Sequence, residues 1–331
     1  MIVQGKVLVT GATGFIGSHL TEELLREGTE VRAFAHYNSQ GYAGSLEELE
    51  SSLTDGLEVY FGDITDYDSV HKAMAGCEYV FHLAALVAIP YSYAHPRAFF
   101  ETNVTGTLNV AQASLENGCT RMIHTSTSEV YGTAQFTPIT EDHPIKCQSP
   151  YAASKAAADR VVESFHLSFG LPAVTIRPFN TYGPRQSPRA IVPTIIDQLL
   201  EGDAVRLGNL DPQRDLTYVK DTVAGFLAAA KSEGVVGETI NLGTGRAVSV
   251  GELASVLIEK VRPGARVVED PVRKRPSRSE VGVLIASFEK ARSLLGWEPK
   301  TSLNEGLEAV IEYLKTAPRR GSRRTPFSYA I

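Results

Sequence analysis

"KVLVTGATGFIGSHL", Lys6 to Leu20, is the stretch from which the rest of the chain is read. Lys6–Thr10 is a short apolar run of the kind that forms a buried strand. Residues 18–28 have helical spacing and close on Gly28, a helix stop signal. Between the two lie Gly11, Gly14 and Gly17, spaced GxxGxxG. Glycine lets a backbone turn tightly and approach a pyrophosphate, which then sits on the free N–H groups at a helix N-terminus. Three glycines alone carry little weight, and a purely structural turn is the alternative. Their place between the first strand and the first helix of an alternating chain is what points to a dinucleotide.

The alternation continues outward. Strands are expected at 30–35, 57–64, 79–85, 121–127 and 173–179. Helices are expected at 67–77, 103–118 and 151–170, the last with Pro150 at its start. Continuous apolar strands separated by amphipathic helices imply an α/β fold, a doubly wound parallel sheet covered on both faces. After residue 180 the pattern loosens. Helices are expected near 192–201, 221–232, 249–262 and 303–315, with short strands near 204–207 and 238–242. The reading is a dinucleotide-binding domain over 1–180 and a smaller α/β lobe over 181–316, with room for the chain to cross between them. A basic tail covers 317–331.

Composition narrows the partners. Of the 331 residues, 43% are hydrophobic and 21% charged, as expected for a soluble globular protein. A net charge of −6 gives no reason to expect nucleic acid or an anionic membrane. The basic run Pro318–Arg324 reads as a solvated tail. Cys77, Cys119 and Cys147 show no CxxC pairing, which fits a reducing compartment. No signal-peptide layout and no membrane-length apolar run is seen. The eight histidines form no ligand set, so no metal is expected.

Many NAD sites carry an acidic residue at the end of the second strand, where it binds the ribose hydroxyls. Here that position is near Ala35–His36, and no Asp or Glu is present. His36, Asn38 and Ser39 suit either a bare hydroxyl or a 2′-phosphate, so NAD and NADP both stay open. Asp63 reads equally as an adenine contact or as a cap for the helix that follows.

Tyr151 and Lys155 are four apart and share one helix face. An ammonium beside a phenol favours phenolate and lowers its pKa from about 10. A phenol so tuned takes a proton from a sugar hydroxyl while a nicotinamide takes the hydride. Upstream, "HTSTSEVYG" (124–132) crowds hydroxyls against Glu129. The segments "TGATGFIG", "HLAA", "TNVTGT", "STSEVYG", "SPYAASK", "RPFNTYGPR" and "RDLTYVKD" occur in this order over about residues 5–315. Together they resemble the extended short-chain dehydrogenase/reductase superfamily of nucleotide-sugar enzymes.

The resemblance implies a Rossmann domain with a seven-stranded parallel sheet and a C-terminal lobe holding the nucleoside diphosphate. It implies a tightly bound NAD or NADP, regenerated each turnover, against Gly11, Thr13, Gly14, Phe15, Ile16, Gly17, Asp63, Ile64, Leu83, Ala84, Ala85, Asn103, Tyr151 and Lys155. It also implies a homodimer through helices 103–118 and 151–170. Ala152, Ala153, Ala156, Ala157 and Ala158 allow close helix approach there, though they fit ordinary internal packing as well.

Members share oxidation at sugar C4 and then diverge. The order Thr127–Ser128–Glu129 resembles the loop of 4,6-dehydratases, where 4-epimerases carry small uncharged residues after the Ser or Thr. Once C4 is a ketone, the C5 hydrogen is acidic and a carboxylate can remove it. Glu129 is the candidate base, Thr127 the hydrogen-bond partner of the C4 oxygen beside Tyr151. Ser128 or Glu129 itself would protonate the departing C6 hydroxyl. Uronate decarboxylases carry a similar loop and are a rival, as are epimerases; a non-catalytic dinucleotide sensor would need no tuned phenol. Arg275, Pro276, Ser279, Glu280 and Val281 resemble dehydratases acting on GDP- or UDP-N-acetylglucosamine. Asn180, Arg185, Arg189, Arg214 and Arg275 are candidate diphosphate contacts, since guanidinium forks suit phosphate. Tyr91 and Ser92 are candidate hexose contacts.

Overall fold

Residues 5–316 are described by the computed structural model; the basic run from Pro318 lies outside them. The first strand, β1 (Lys6–Thr10), is buried over its last four residues and ends at Gly11. Gly11 has φ +70°, and a Cβ there would stand 2.7 Å from the amide nitrogen of Ala84. Only glycine allows that approach. Helix α1 (Phe15–Arg26) starts three residues earlier than its periodicity suggests, because the glycine turn runs straight into it.

The large sheet adds β2 (Val31–His36), β3 (Leu57–Gly62), β4 (Cys77–His82), β5 (Arg121–Thr125) and β6 (Ala173–Pro178). Its seventh member comes from far downstream. After β7 (Asn180–Tyr182), β8 (Ala204–Leu207) and β9 (Gln213–Tyr218), the strand β10 (Thr239–Leu242) pairs in parallel with β6. The sequence reading put this segment in the smaller lobe. Its residues Ile240–Leu242 are fully buried where β10 pairs with β6. The order is β10-β6-β5-β4-β1-β2-β3, with every pairing parallel. The strand order reverses between β1 and β4, and a crevice opens at the strand ends there.

Helices α2 (Tyr67–Met74), α5 (Gly106–Glu116) and α6 (Pro150–Phe169) cover one face; α1 and α8 (Val219–Lys231) cover the other. The short α3 (Ile89–Ala94) and α4 (Pro96–Phe100) precede a π-helical turn, Glu101–Thr105, which leads into α5. The smaller lobe is built from α7 (Ile191–Glu201), α9 (Val250–Val261), α10 (Glu289–Leu295) and α11 (Leu303–Thr316). With them come β11 (Ala247–Ser249), β12 (Arg266–Glu269) and β13 (Val283–Leu284). Strand β9 is the hub: β7 and β13 run parallel to it and β11 antiparallel, while β8 and β12 pair separately. The sequence reading passed over β9, because Gln213, Arg214 and Asp215 hide its apolar half.

Helix α6 is well specified. Ser149 caps it by accepting from the Ala152 amide, Pro150 occupies the first turn, and Gly170 closes it in the left-handed region. Its buried face carries Tyr151, Lys155 and Asp159 at four-residue intervals. Asp159 anchors a polar cluster inside the apolar core. Arg177 Nη2 on β6 donates to it at 2.9 Å, Ser126 Oγ at 2.8 Å and His124 Nε2 at 3.2 Å. Arg177 Nη1 then reaches the Tyr131 hydroxyl at 2.9 Å, and that hydroxyl donates to Asn241 Oδ1 on β10 at 2.8 Å. Burial alone would raise the Asp159 carboxyl. The bonds and charges of His124, Arg177 and Ser126 outweigh it and hold the group at about 2.

Removing one partner of a buried ion pair strands the other charge, at a cost of about 3–5 kcal/mol. Asp159→Ala is therefore expected to lose stability on that scale in denaturant titration. Asp159→Asn, which keeps acceptor capacity, is expected to lose less. Equal and small losses in both would show that Arg177 is not dependent on this carboxylate.

Candidate active site

The crevice between β1 and β4 deepens into a cavity of about 1050 Å3 that reaches from the glycine turn to the N-terminus of α6. One end is lined by Gly11, Thr13, Gly14, Phe15, Ile16 and Gly17. Helix α1 has no side-chain cap, so its first-turn amides are left without an intrahelical partner beside this wall. A Cβ on Gly17 would stand 2.2 Å from the Gly11 carbonyl oxygen, so the tight turn excludes any side chain there. A backbone cradle at a helix N-terminus is the chemistry a pyrophosphate needs. The residues present therefore fit a dinucleotide.

Along the same end lie His36, Asp63 and Ile64. The helix-cap alternative for Asp63 is settled by geometry: Asp66 caps α2 by accepting from the Asp68 amide. Asp63 Oδ1 instead accepts from the Thr65 amide at 2.8 Å and hydroxyl at 2.7 Å, bonds that hold its carboxyl below the usual range. Asn38 and Ser39 are not among the cavity-lining residues. Asn38 spends its side chain on the Tyr42 backbone, closing a turn after β2. Leu83, Ala84 and Ala85 form the opposite wall, pinned because the Leu83 and Ala84 amides reach Thr10 Oγ1 at 3.1 and 3.2 Å. Asn103 does not line the cavity; it is buried and braces Leu86 from both its oxygen and its nitrogen, and donates to Ser154 at 2.9 Å. It shapes the wall from behind.

The deep end holds the chemistry. Strand β5 ends at Thr125, Ser126 follows it, and Thr127 then turns the chain into one turn of 3-10 helix, Ser128–Tyr131. Val130 and Tyr131 are fully buried and fix this turn in the core. Thr127, Ser128 and Glu129 consequently face the cavity with Tyr151 and Lys155. All five are less than one-tenth exposed. Burial pulls the Lys155 ammonium down to about 8, with the Asp159 carboxylate opposing. The sequence reading expects Lys155 to lower the Tyr151 phenol. In this cleft the phenol is instead pushed up to about 12. Burial is the main cause, with the Glu129 and Asp159 carboxylates adding to it and the Thr127 hydroxyl opposing. A buried phenol held this high stays protonated and acts as a hydrogen-bond donor.

The candidate substrate contacts divide. Asn180 and Arg275 line the cavity, and each has a buried polar atom without a hydrogen-bond partner, Asn180 Oδ1 and Arg275 Nη1. Gln186, which the sequence reading missed inside the same glycine- and proline-rich segment, lines it too with Oε1 unpartnered. Arg185 is elsewhere: it pairs with Glu22 of α1 at 2.7 Å. Arg189 is exposed at the surface. Arg214 does not line the cavity; it is half-buried, within the influence of Glu129, Arg275 and Glu280. Ser92 is buried and donates to Ile89 O at 2.7 Å, while the Tyr91 ring packs at a tilt against His95 and Phe99. Neither lines the cavity. The π-helical turn, by contrast, contributes Glu101, Thr102 and Thr105, and Pro178 at the end of β6 and Phe179 after it line the cavity as well. Helical periodicity carries no signal for such a turn. Among the described residues no group of three or more His, Cys, Asp or Glu is arranged to hold a metal, and no helix is long and apolar enough to cross a membrane.

Comparison with known proteins agrees with this geometry. The family model for GDP-mannose 4,6 dehydratase matches residues 8–310. A UDP-glucose 4-epimerase of Mycolicibacterium smegmatis is 34% identical over 316 residues, 94% of this chain and 98% of the relative. A dTDP-glucose 4,6-dehydratase of Streptomyces antibioticus is also 34% identical over 316 residues, 93% of this chain and 92% of the relative. Among solved structures, a double mutant of the dTDP-glucose 4,6-dehydratase DesIV from Streptomyces venezuelae, solved with NAD, superposes with a TM-score of 0.85 at 30% identity. That match covers 94% of this chain and 97% of the other. Over nearly its whole length the chain belongs to the NAD-dependent epimerase/dehydratase family of nucleotide-sugar enzymes, whose dehydratase and epimerase members it resembles to similar degrees.

Proposed function

We propose that this protein is a nucleotide-sugar 4,6-dehydratase, converting an NDP-hexose to its 4-keto-6-deoxy derivative. The observation that carries the reading is Glu129. It lines the reaction end of the cavity beside Thr127, Ser128, Tyr151 and Lys155, and it is 7% exposed. Hydride shuttling alone needs no such carboxylate; removal of the C5 proton does. UDP- or GDP-N-acetylglucosamine is the substrate class favoured by the segment from Arg275 to Val281.

Tyr151 accepts the proton of the C4 hydroxyl, with the Lys155 charge behind it and Thr127 holding the C4 oxygen. NAD, when bound in the glycine cradle, supplies the hydride acceptor and donor and a positive ring charge. The relative solved with NAD and the ionised Asp63 near the end of β2, unfavourable to a 2′-phosphate, support NAD over NADP. Glu129 then removes the C5 proton, made acidic by the C4 ketone. Ser128 or protonated Glu129 gives a proton to the leaving C6 hydroxyl. Substrate phosphates are met by Asn180 and Arg275. The epimerase reading has the shared C4 step in its favour and the buried Glu129 against it.

A homodimer through α5 and α6 is part of this reading. Leu108 on α5 and Leu167 on α6 are exposed apolar side chains, the latter at 75%. Leu108→Glu with Leu167→Glu is expected to shift the protein to monomer in light scattering; an unchanged mass would remove this surface from the interface.

Incubation with UDP- and GDP-N-acetylglucosamine and no added reductant is expected to yield a product one water lighter carrying a 4-ketone. A product of unchanged mass would replace the dehydratase by an epimerase, and carbon dioxide release from a UDP-uronate by a decarboxylase. Glu129→Gln is expected to keep transient reduction of the cofactor and lose water elimination by at least ~100-fold, the scale of a general base. Purified wild type should release NAD on denaturation, and Gly17→Ala should release none. Stoichiometric NAD from the variant would show that the cradle does not hold it.

A further inference from the structure

Segment 271–284 crosses from β12 to β13 and carries the motif that the site leaves unexplained. It is pinned by backbone and hydroxyl contacts. Ser279 Oγ donates to the Gln148 carbonyl, immediately before α6, and pairs with the Tyr93 hydroxyl on α3 at 2.6 Å. Gln148 Nε2 donates to the carbonyls of Arg278 and Glu280 at 3.1 and 3.2 Å. The Gly282 amide reaches Thr133 Oγ1 at 3.1 Å. None of these bonds uses the Glu280 carboxylate.

That carboxylate stands between two guanidinium groups. Glu280 Oε1 is 3.6 Å from Arg214 Nη2 and 3.8 Å from Arg275 Nη1. Both separations exceed hydrogen-bond length, so the attraction holds neither fork in a fixed orientation. Arg214 is oriented by other means, donating to the carbonyls of Gln213 at 3.0 Å and Gly282 at 3.4 Å. Arg275 Nη1 makes no hydrogen bond although it is buried, and its residue lines the cavity. A buried guanidinium N–H without an acceptor has donor capacity left for an anion.

We infer that Glu280 is an internal counter-anion that competes with the substrate's diphosphate for Arg275, and so sets how tightly this enzyme holds its nucleotide. The inference rests on the nucleotide-sugar reading above. Two opposing effects decide its sign. Removing the carboxylate frees the Arg275 side chain, which weakens binding. It also unmasks a positive charge facing a ligand of two or more negative charges, which strengthens binding. Because the pair lacks hydrogen-bond geometry, it contributes little order, and the charge effect prevails. Glu280 thereby trades affinity for release of the nucleoside diphosphate product.

The test is calorimetric titration of the NAD-loaded protein with UDP, GDP and dTDP. Glu280→Gln is expected to bind the preferred diphosphate about five-fold tighter than wild type, corresponding to roughly 1 kcal/mol. Glu280→Asp, which keeps the charge, should stay within about two-fold of wild type. In an Arg275→Gln background the Glu280→Gln gain should vanish. Equal or weaker binding by Glu280→Gln, in a protein of unchanged melting temperature, overturns the inference and leaves the dehydratase reading standing. Persistence of the gain without Arg275 overturns it as well. Failure of wild type to bind any of the three nucleotides sinks both.

Discussion

A single buried carboxylate, Asp159, ties the elements that make the site. Its partners come from β5, the loop after β5 and β6, and through Arg177 and Tyr131 the network reaches Asn241 on the outermost strand β10. Burying a charge is tolerable only if it is paired and hydrogen-bonded, so these elements have one mutual arrangement in which the core closes. That arrangement also orients the chemistry. Tyr151, Lys155 and Asp159 rise along one face of α6, and Tyr131 belongs to the same turn as Glu129. Fixing Asp159 and Tyr131 in the core therefore fixes where Tyr151, Lys155 and Glu129 meet.

The electrostatics of that meeting are unusual for a base. A phenol near 12 beside a lysine near 8 is less ready to give up its proton than a free tyrosine. Burial accounts for most of both shifts, and the nearby carboxylates disfavour phenolate further. The protein by itself thus holds Tyr151 protonated, chiefly by burial. Charge is set against charge again in the segment before β13, with Glu280 facing Arg214 and Arg275.

Much of the fold was legible because its signals are local. Apolar runs located the strands of the large sheet, and Pro150 marked the start of α6. Less legible was the smaller lobe, where β9 begins with Gln213, Arg214 and Asp215 and is recognisable only as the strand that three others pair with. The arginines show the same divide. "RPFNTYGPR" and "QRDLTYVKD" each offer a guanidinium, and sequence has no way to tell a side chain aimed at a ligand from one spent on the scaffold. Arg185 is spent on Glu22, Arg189 faces solvent, and Arg275 is left with an unpaired N–H at the cavity wall.

By itself the sequence determined the dinucleotide cradle, the Tyr151–Lys155 pair and the Thr127–Ser128–Glu129 loop, because each is set by residue type at a spacing of a few positions. Tertiary structure alone decided that β10 leaves the smaller lobe to complete the main sheet, and that Gln186 rather than Arg185 reaches the cavity. It alone decided that Tyr151 is raised rather than lowered. The reason is the same in each case. Strand pairing, ion pairing and desolvation depend on what lies across space, and residues such as Thr239 and Thr175, or Arg185 and Glu22, are brought together only when the whole core closes.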